Sequence, residues 1–81
     1  MMMILYHTAG CHLCEEAEAL VRNCLAIQGI ANDCLSLIEI AEQAELLERY
    51  GLLIPVLRAE TSGRELNWPF TSDDVRQLLP G

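Results

Sequence analysis

Apolar residues recur along the chain in short runs and in helical stripes, with turn residues between them. Residues 3–7 form an apolar run that stops at Thr8-Ala9-Gly10, a pattern typical of a buried strand followed by a turn. From Cys11 to about Gln28 there is no Gly or Pro, and Gly29 follows as a stop signal. The apolar residues of this segment recur at steps of three and four, which predicts a helix with one buried face, made of Leu13, Ala17, Leu20, Val21, Cys24 and Ile27.

The next segment repeats this alternation of strand and helix. Residues 34–38 predict a second strand, and the stretch from Glu39 to Tyr50 carries apolar residues at helical spacing before Gly51. The third strand is expected at about 55–59, because a proline cannot donate to a sheet ladder and belongs at a strand's start or edge.

The chain is expected to finish with a hairpin and a helix. Thr61-Ser62-Gly63 is a turn signal, so a fourth strand at about 64–67 should pair with the third. Thr71 or Ser72 then caps a last helix. The predicted order is β-α-β-α-β-β-α, in one α/β domain that spans residues 1–81. Its first half is a βαβ unit, which implies parallel strands.

Composition and charge narrow the class of protein. Hydrophobic residues make up 52% of the chain and charged residues 21%, which excludes a disordered tail. No apolar run approaches the roughly 20 residues that span a bilayer, and the N-terminus lacks the positive region of a secretory signal, so a cytoplasmic location away from membranes is expected. The net charge is −7, with five arginines and no lysine, which argues against nucleic acid as a partner.

The stretch Gly10-Cys11-His12-Leu13-Cys14 carries the candidate chemistry. A C-x-x-C pair that follows a strand and opens a helix favours redox chemistry. Cys11 falls at the N-cap or first helical position, where unsatisfied N–H groups and the helix dipole lower a thiol pKa, to roughly 3.5–7.5 at such sites. Cys14 lies one turn further on and deeper, so it can attack Cys11 and resolve a mixed disulfide.

Neighbouring residues and other ligands leave alternatives open. A protonated His12 would stabilise the Cys11 thiolate, whereas Glu15 and Glu16 would oppose it. A structural zinc site would need four ligands, but Cys24 and Cys34 lie on predicted core elements. No metal site and no resident cofactor are therefore expected.

The chain resembles a small glutaredoxin-like protein of the thioredoxin superfamily, and more narrowly a bacterial glutaredoxin-like group. The resemblance covers nearly all 81 residues. It is carried by three segments, which are Leu5-Tyr6-His7-Thr8-Ala9-Gly10-Cys11-His12-Leu13-Cys14, Ile54-Pro55-Val56-Leu57, and Trp68-Pro69-Phe70 leading into Ser72-Asp73.

The resemblance implies a four-stranded mixed sheet with helices on both faces. It makes Cys11 the nucleophile and Cys14 the resolving thiol, and it makes Pro55 a cis-proline beside them. The substrate-binding residues that it implies are Ile54, Pro55, Ser72 and Asp73. His12 replaces the proline of the usual glutaredoxin motif, and we expect it to belong to the substrate site as well. The Gly-Gly turn of glutaredoxins is replaced here by residues 69–71, and the upstream lysine is absent. These departures weaken the case for glutathione binding more than the case for disulfide chemistry.

The function expected from the sequence is that of a dithiol–disulfide oxidoreductase. Its substrate would be a protein disulfide or a glutathione mixed disulfide, with glutathione as a possible co-substrate, and the protein is expected to act as a monomer. The alternatives are a non-catalytic binding or redox-sensing module of thioredoxin fold, and a metal or iron–sulfur carrier.

Overall fold

The computed structural model describes residues 2–79, which form a mixed sheet of four strands with helices on both of its faces. The strands are β1 Met3–His7, β2 Leu35–Glu39, β3 Val56–Ala59 and β4 Glu65–Asn67. The α-helices are α1 His12–Gln28, α2 Ala44–Tyr50 and α3 Ser72–Leu78, and two short 3₁₀ helices span Asn32–Cys34 and Ile40–Glu42. The predicted order and the predicted fold class are confirmed.

The strand order is β2-β1-β3-β4, so β1 lies between β2 and β3. β1 pairs with β2 in parallel, as the βαβ pattern predicts, and it pairs with β3 antiparallel. β3 and β4 form the predicted antiparallel hairpin. Side chains alternate along β1, so Met3 and Leu5 enter one core and Tyr6 enters the other.

The larger core lies between the sheet and the helix pair α1 and α3. The smaller core lies on the opposite face, where Tyr6, Ile40, Tyr50 and Val56 pack together. The Tyr6 and Tyr50 rings are stacked, with 4.2 Å between their centroids. The two cores place helices on both faces of the sheet, as the resemblance implies.

The buried face of α1 differs from the predicted one. Leu13 and Ile27 were expected inside but are 48% and 72% exposed, whereas Leu25 is fully buried. The buried residues are Cys14, Ala17, Val21, Cys24 and Leu25. Helical spacing defines a stripe of apolar residues, but the position of α1 against the sheet and α3 decides which part of that stripe is covered.

The predicted helix from Glu39 to Tyr50 is wrong at its start. Glu39 is the last residue of β2, a 3₁₀ turn follows it, and α2 begins only at Ala44. The Glu39 carboxylate accepts a hydrogen bond from the Ala41 N–H at 3.0 Å, which caps the 3₁₀ turn. Gln43 is extended, with φ −130° and ψ 115°, so the helix cannot run through it.

The last helix begins as the sequence predicts. The Thr71 side chain accepts from the Asp74 N–H, and the Asp74 carboxylate accepts from the Thr71 N–H. This reciprocal arrangement is a capping box. Trp68 is partly buried and meets the Phe70 ring edge-on, with 5.0 Å between centroids. Trp68 therefore packs against the larger core.

A buried tyrosine joins α2 to the hairpin. The Tyr50 hydroxyl donates to the Glu65 carboxylate at 2.5 Å, and Arg58 lies 3.1 Å from the same carboxylate oxygen. Burial, together with the hydrogen bond to Glu65, raises the pKa of Tyr50 to about 12. The neutral hydroxyl thus stabilises the fold fully below about pH 10, and this contribution is lost as the pH rises towards 12.

We expect Tyr50→Phe to lower the free energy of unfolding by about 1 kcal/mol, because it removes this hydrogen bond and keeps the ring stack. Urea unfolding at pH 7 measures the loss. Tyr6→Phe is the matched control, since it leaves the bond to Glu65 in place. Equal stability of Tyr50→Phe and the wild type would contradict the prediction.

Candidate functional site

Three chain segments meet where β1 and β2 end and β3 begins. In the parallel pair, His7 at the end of β1 lies opposite Glu39 at the end of β2. In the antiparallel pair, Tyr6 lies opposite Val56 at the start of β3. The turn after β1, the end of β2 and the residues just before β3 therefore lie together, and this region is called the disulfide edge below.

The turn after β1 directs the chain into α1. The Cys11 N–H donates to the Thr8 carbonyl at 3.3 Å, and Gly10 has a φ of 78°. A left-handed residue at this point suits glycine, which has no Cβ to clash. The turn places Cys11 directly before the first residue of α1.

Cys11 is the N-cap of α1. Its backbone is extended, with φ −85° and ψ 105°, and its Sγ accepts a hydrogen bond from the Cys14 N–H at 3.1 Å. The free N–H groups and the dipole of a 17-residue helix thus face the Cys11 sulfur. After reduction, the same N–H would stabilise a thiolate on Cys11.

Cys11 and Cys14 are joined by a disulfide, with 5.2 Å between their Cα atoms. Their exposure differs, since Cys11 is partly exposed and Cys14 is only 3% exposed. This is the difference in depth that helical spacing predicts. Of the two cysteines, Cys11 is therefore the one that faces solvent, and Cys14 is shielded by the protein.

His12 lies on the solvent side of the disulfide. Its side chain is 85% exposed, and its Nε2 lies 3.7 Å from a carboxylate oxygen of Glu16, one turn along α1. The structure therefore leaves His12 accessible to a partner. Its assignment to the substrate site stays a prediction.

Ile54 and Pro55 lie at the disulfide edge, immediately before β3. The Ile54–Pro55 peptide bond is cis, as the resemblance implies. The Ile54 N–H donates to the Tyr50 carbonyl at 3.1 Å, and its side chain packs against the smaller core. A second cis bond, between Trp68 and Pro69, was not predicted.

Exposed leucines accompany these residues. Leu52 is fully exposed and Leu53 is 49% exposed, directly before Ile54 and Pro55. Leu13, between the two cysteines, is 48% exposed. Apolar side chains in these positions leave water only when another molecule covers them.

Ser72 and Asp73 lie against a different part of α1. The Ser72 carbonyl is 4.0 Å from the Cys24 sulfur. A cavity of about 220 Å³ lies at this contact, and it is lined by Cys24, Ile27, Gln28, Ser72, Asp73 and Arg76. Cys24 is 13 residues beyond Cys11, or about 20 Å along a helix that rises 1.5 Å per residue. The structure does not bring these two residues to the disulfide, and their role in substrate binding stays a prediction.

Glu39 is a residue of this edge that the sequence analysis took for the start of a helix. One oxygen of its carboxylate accepts from the Ala9 N–H at 2.8 Å, and the other accepts from the Ala41 N–H. The hydrogen bonds from Ala41 and Ala9 hold the pKa of this carboxyl below its ordinary value. The sequence does hold a signal for this role of Glu39, which is its position at the end of β2, a strand predicted to run parallel to β1.

Cys24 and Cys34 lie away from the disulfide edge. Cys24 is 3% exposed within the larger core, as expected for a small buried hydrophobe, and Cys34 is partly exposed in the first 3₁₀ turn. Among residues 2–79, no group of three or more His, Cys, Asp or Glu side chains is arranged to hold a metal ion. Within the same range, no helix is long and apolar enough to cross a membrane.

Comparison with known proteins identifies the family. Residues 2–80 match the family model of the glutaredoxin-like domain (DUF836). The chain belongs to this glutaredoxin-like family. No match was found among the curated proteins.

Solved structures of similar proteins share the fold of this glutaredoxin-like chain. Protein XcR50 from X. campestris, whose X-ray structure is known, has 35% sequence identity to this chain. The match covers 93% of this chain and 91% of XcR50, and the two structures have a TM-score of 0.76. Protein Ne2328 from Nitrosomonas europaea, whose NMR structure is known, has 30% sequence identity to this chain. The match covers 98% of this chain and 91% of Ne2328, and the two structures have a TM-score of 0.79.

The N-cap position predicts a reactive thiol at Cys11. In the reduced protein at pH 7, we expect iodoacetamide to modify Cys11 about tenfold faster than Cys34, because only Cys11 caps a long helix. Both cysteines are partly exposed, so Cys34 is an internal control. Peptide mapping by mass spectrometry measures the rates, and equal rates at the two positions would contradict the prediction.

Proposed function

We propose that the protein is a dithiol–disulfide oxidoreductase, with Cys11 as the nucleophile and Cys14 as the resolving thiol. One observation carries the proposal, namely a disulfide at the start of α1 that joins a partly exposed Cys11 to a buried Cys14. Membership of the glutaredoxin-like family supports it.

The reaction starts from the reduced pair. The Cys11 thiolate attacks one sulfur of a substrate disulfide, the substrate S–S bond breaks, and the first substrate thiol leaves with a proton from solvent. The Cys14 thiol then loses its proton and attacks the Cys11 sulfur, which releases the second substrate thiol. Two electrons pass from the protein to the substrate, and the Cys11–Cys14 disulfide remains.

A disulfide-bonded protein is the favoured substrate class. Exposed Leu52 and Leu53 lie beside the cis bond before Pro55 and offer an apolar contact area to a polypeptide. The net charge of −7 disfavours an anionic tripeptide such as glutathione. A glutathione mixed disulfide remains the second substrate to test. We further propose a cytoplasmic location, because thiol pools there keep such cysteine pairs reduced.

Redox titration tests the reaction itself. We expect a reversible two-electron transition of the Cys11–Cys14 pair between about −120 and −270 mV in glutathione buffers, the range of active oxidoreductases. Alkylation followed by mass spectrometry reads the oxidation state. In Cys14→Ser, a glutathione adduct should accumulate on Cys11 if glutathione is a substrate.

The double variant Cys24→Ser, Cys34→Ser is the control for this titration, since both residues lie away from the disulfide. It should titrate like the wild type. A pair that never closes, or that has no transition in the stated window, would overturn the proposal.

The exposed leucines predict a selective effect on protein substrates. We expect Leu52→Ser with Leu53→Ser to slow the reduction of a protein disulfide such as that of insulin severalfold, because an apolar contact with the substrate is lost. Reduction of a small disulfide, hydroxyethyl disulfide, should not change.

Ile27→Ser is the matched control for this measurement. Ile27 is 72% exposed, but it lies in the last turn of α1, far from the disulfide. Its rates should equal those of the wild type with both substrates, because the cavity that Ile27 lines with Ser72 and Asp73 lies away from the disulfide. A leucine variant that reduces insulin at the wild-type rate would show that these leucines do not contact the substrate.

A further inference from the structure

The turn that carries Cys11 is bonded to a side chain from another strand. Ala9, in the middle of this turn, donates its N–H to a carboxylate oxygen of Glu39 at 2.8 Å. The two residues are 30 positions apart in the sequence. Glu39 thus connects the turn to the end of β2 across the parallel pair in which His7 faces Glu39.

The other oxygen of the same carboxylate is also engaged. It accepts from the Ala41 N–H at 3.0 Å, which fixes the side chain against the 3₁₀ turn that follows β2. A carboxylate with both oxygens bonded to backbone donors from two segments has little freedom to move. The hydrogen bond to Ala9 therefore holds the turn in one orientation.

We infer that Glu39 is a positioning residue for the Cys11–Cys14 pair. This inference rests on the proposed function and adds to it a residue that sets the geometry of the nucleophile. The turn held by Glu39 ends at Cys11, whose Sγ must point at the Cys14 N–H to act as the helix cap. When the turn can rotate, Cys11 occupies the cap position for less of the time.

The protonation state of Glu39 at neutral pH favours this role. Its pKa is lowered mainly by the hydrogen bonds from the N–H groups of Ala41 and Ala9, which together outweigh the opposite effect of burial. The interaction is therefore complete above a pH of about 4.5 and is lost only as the pH falls through the lowered pKa. Measurements at pH 7 sample the bonded turn.

Positioning and simple charge make opposite predictions for Cys11. A carboxylate that acted only through its charge would oppose the thiolate, so its removal would lower the pKa of Cys11 and speed its reactions. A carboxylate that positions Cys11 does the reverse, since its removal weakens the cap and raises that pKa. A purely structural residue would change the stability of the fold and neither quantity.

The test measures the rate of Cys11 alkylation against pH in the reduced protein. For Glu39→Ala we expect the pKa of Cys11 to rise and the rate at pH 7 to fall about tenfold, as the cap weakens. Glu39→Gln keeps one carbonyl acceptor and should fall between Glu39→Ala and the wild type. Glu42→Ala is the control, because it removes the same charge from an exposed position three residues away.

The outcomes are decisive in both directions. A slower Cys11 in Glu39→Ala, with Glu42→Ala unchanged, supports the inference, and an unchanged or faster Cys11 overturns it. If Glu39→Ala fails to fold, Glu39→Gln decides by the same criteria.

Redox titration of the same variants separates this test from the proposed function. A wild type without a redox transition rejects the proposed function alone, since the alkylation rates still report on Cys11.

Discussion

The position of β1 between β2 and β3 is the constraint on which the rest of the structure depends. Because β1 runs parallel to β2 and antiparallel to β3, its last residue lies near the end of one neighbour and the start of the other. This arrangement brings together the turn after β1, the Glu39 carboxylate and the cis bond before Pro55. If β1 were the outermost strand it would have a single neighbour, and the turn after β1 would meet only one of the other two groups.

Features that depend on nearby residues could be predicted from the sequence. The bounds of β1, the end of α1 at Gly29 and the cap at Thr71 follow from local patterns, and all three are seen in the structure. The depth of Cys14 below Cys11 follows from helical spacing. The cis bond before Pro55 is different, because only the family resemblance pointed to it.

Features that depend on contacts between distant segments could not be predicted. The apolar spacing from Glu39 to Tyr50 suits a helix, but the Glu39 carboxylate bonds the backbone of Ala9 and Ala41 instead. Which residues of α1 are buried depends on where α3 packs, so the sequence wrongly predicts that Leu13 and Ile27 are buried. The contact of Ser72 with Cys24 likewise depends on the path of the chain after β4.

The burial of Cys14 also affects how the protein meets peroxides. In the reduced protein, an oxidant in solution would meet Cys11 before the buried Cys14 and would convert a Cys11 thiolate to a sulfenic acid. Cys14 lies within disulfide distance, with 5.2 Å between the Cα atoms, and can displace water from that sulfenic acid without leaving the protein. Oxidation would then end at a reversible disulfide, one step short of the sulfinic acid. A buried partner within disulfide distance would thus also protect the partly exposed Cys11 from irreversible oxidation.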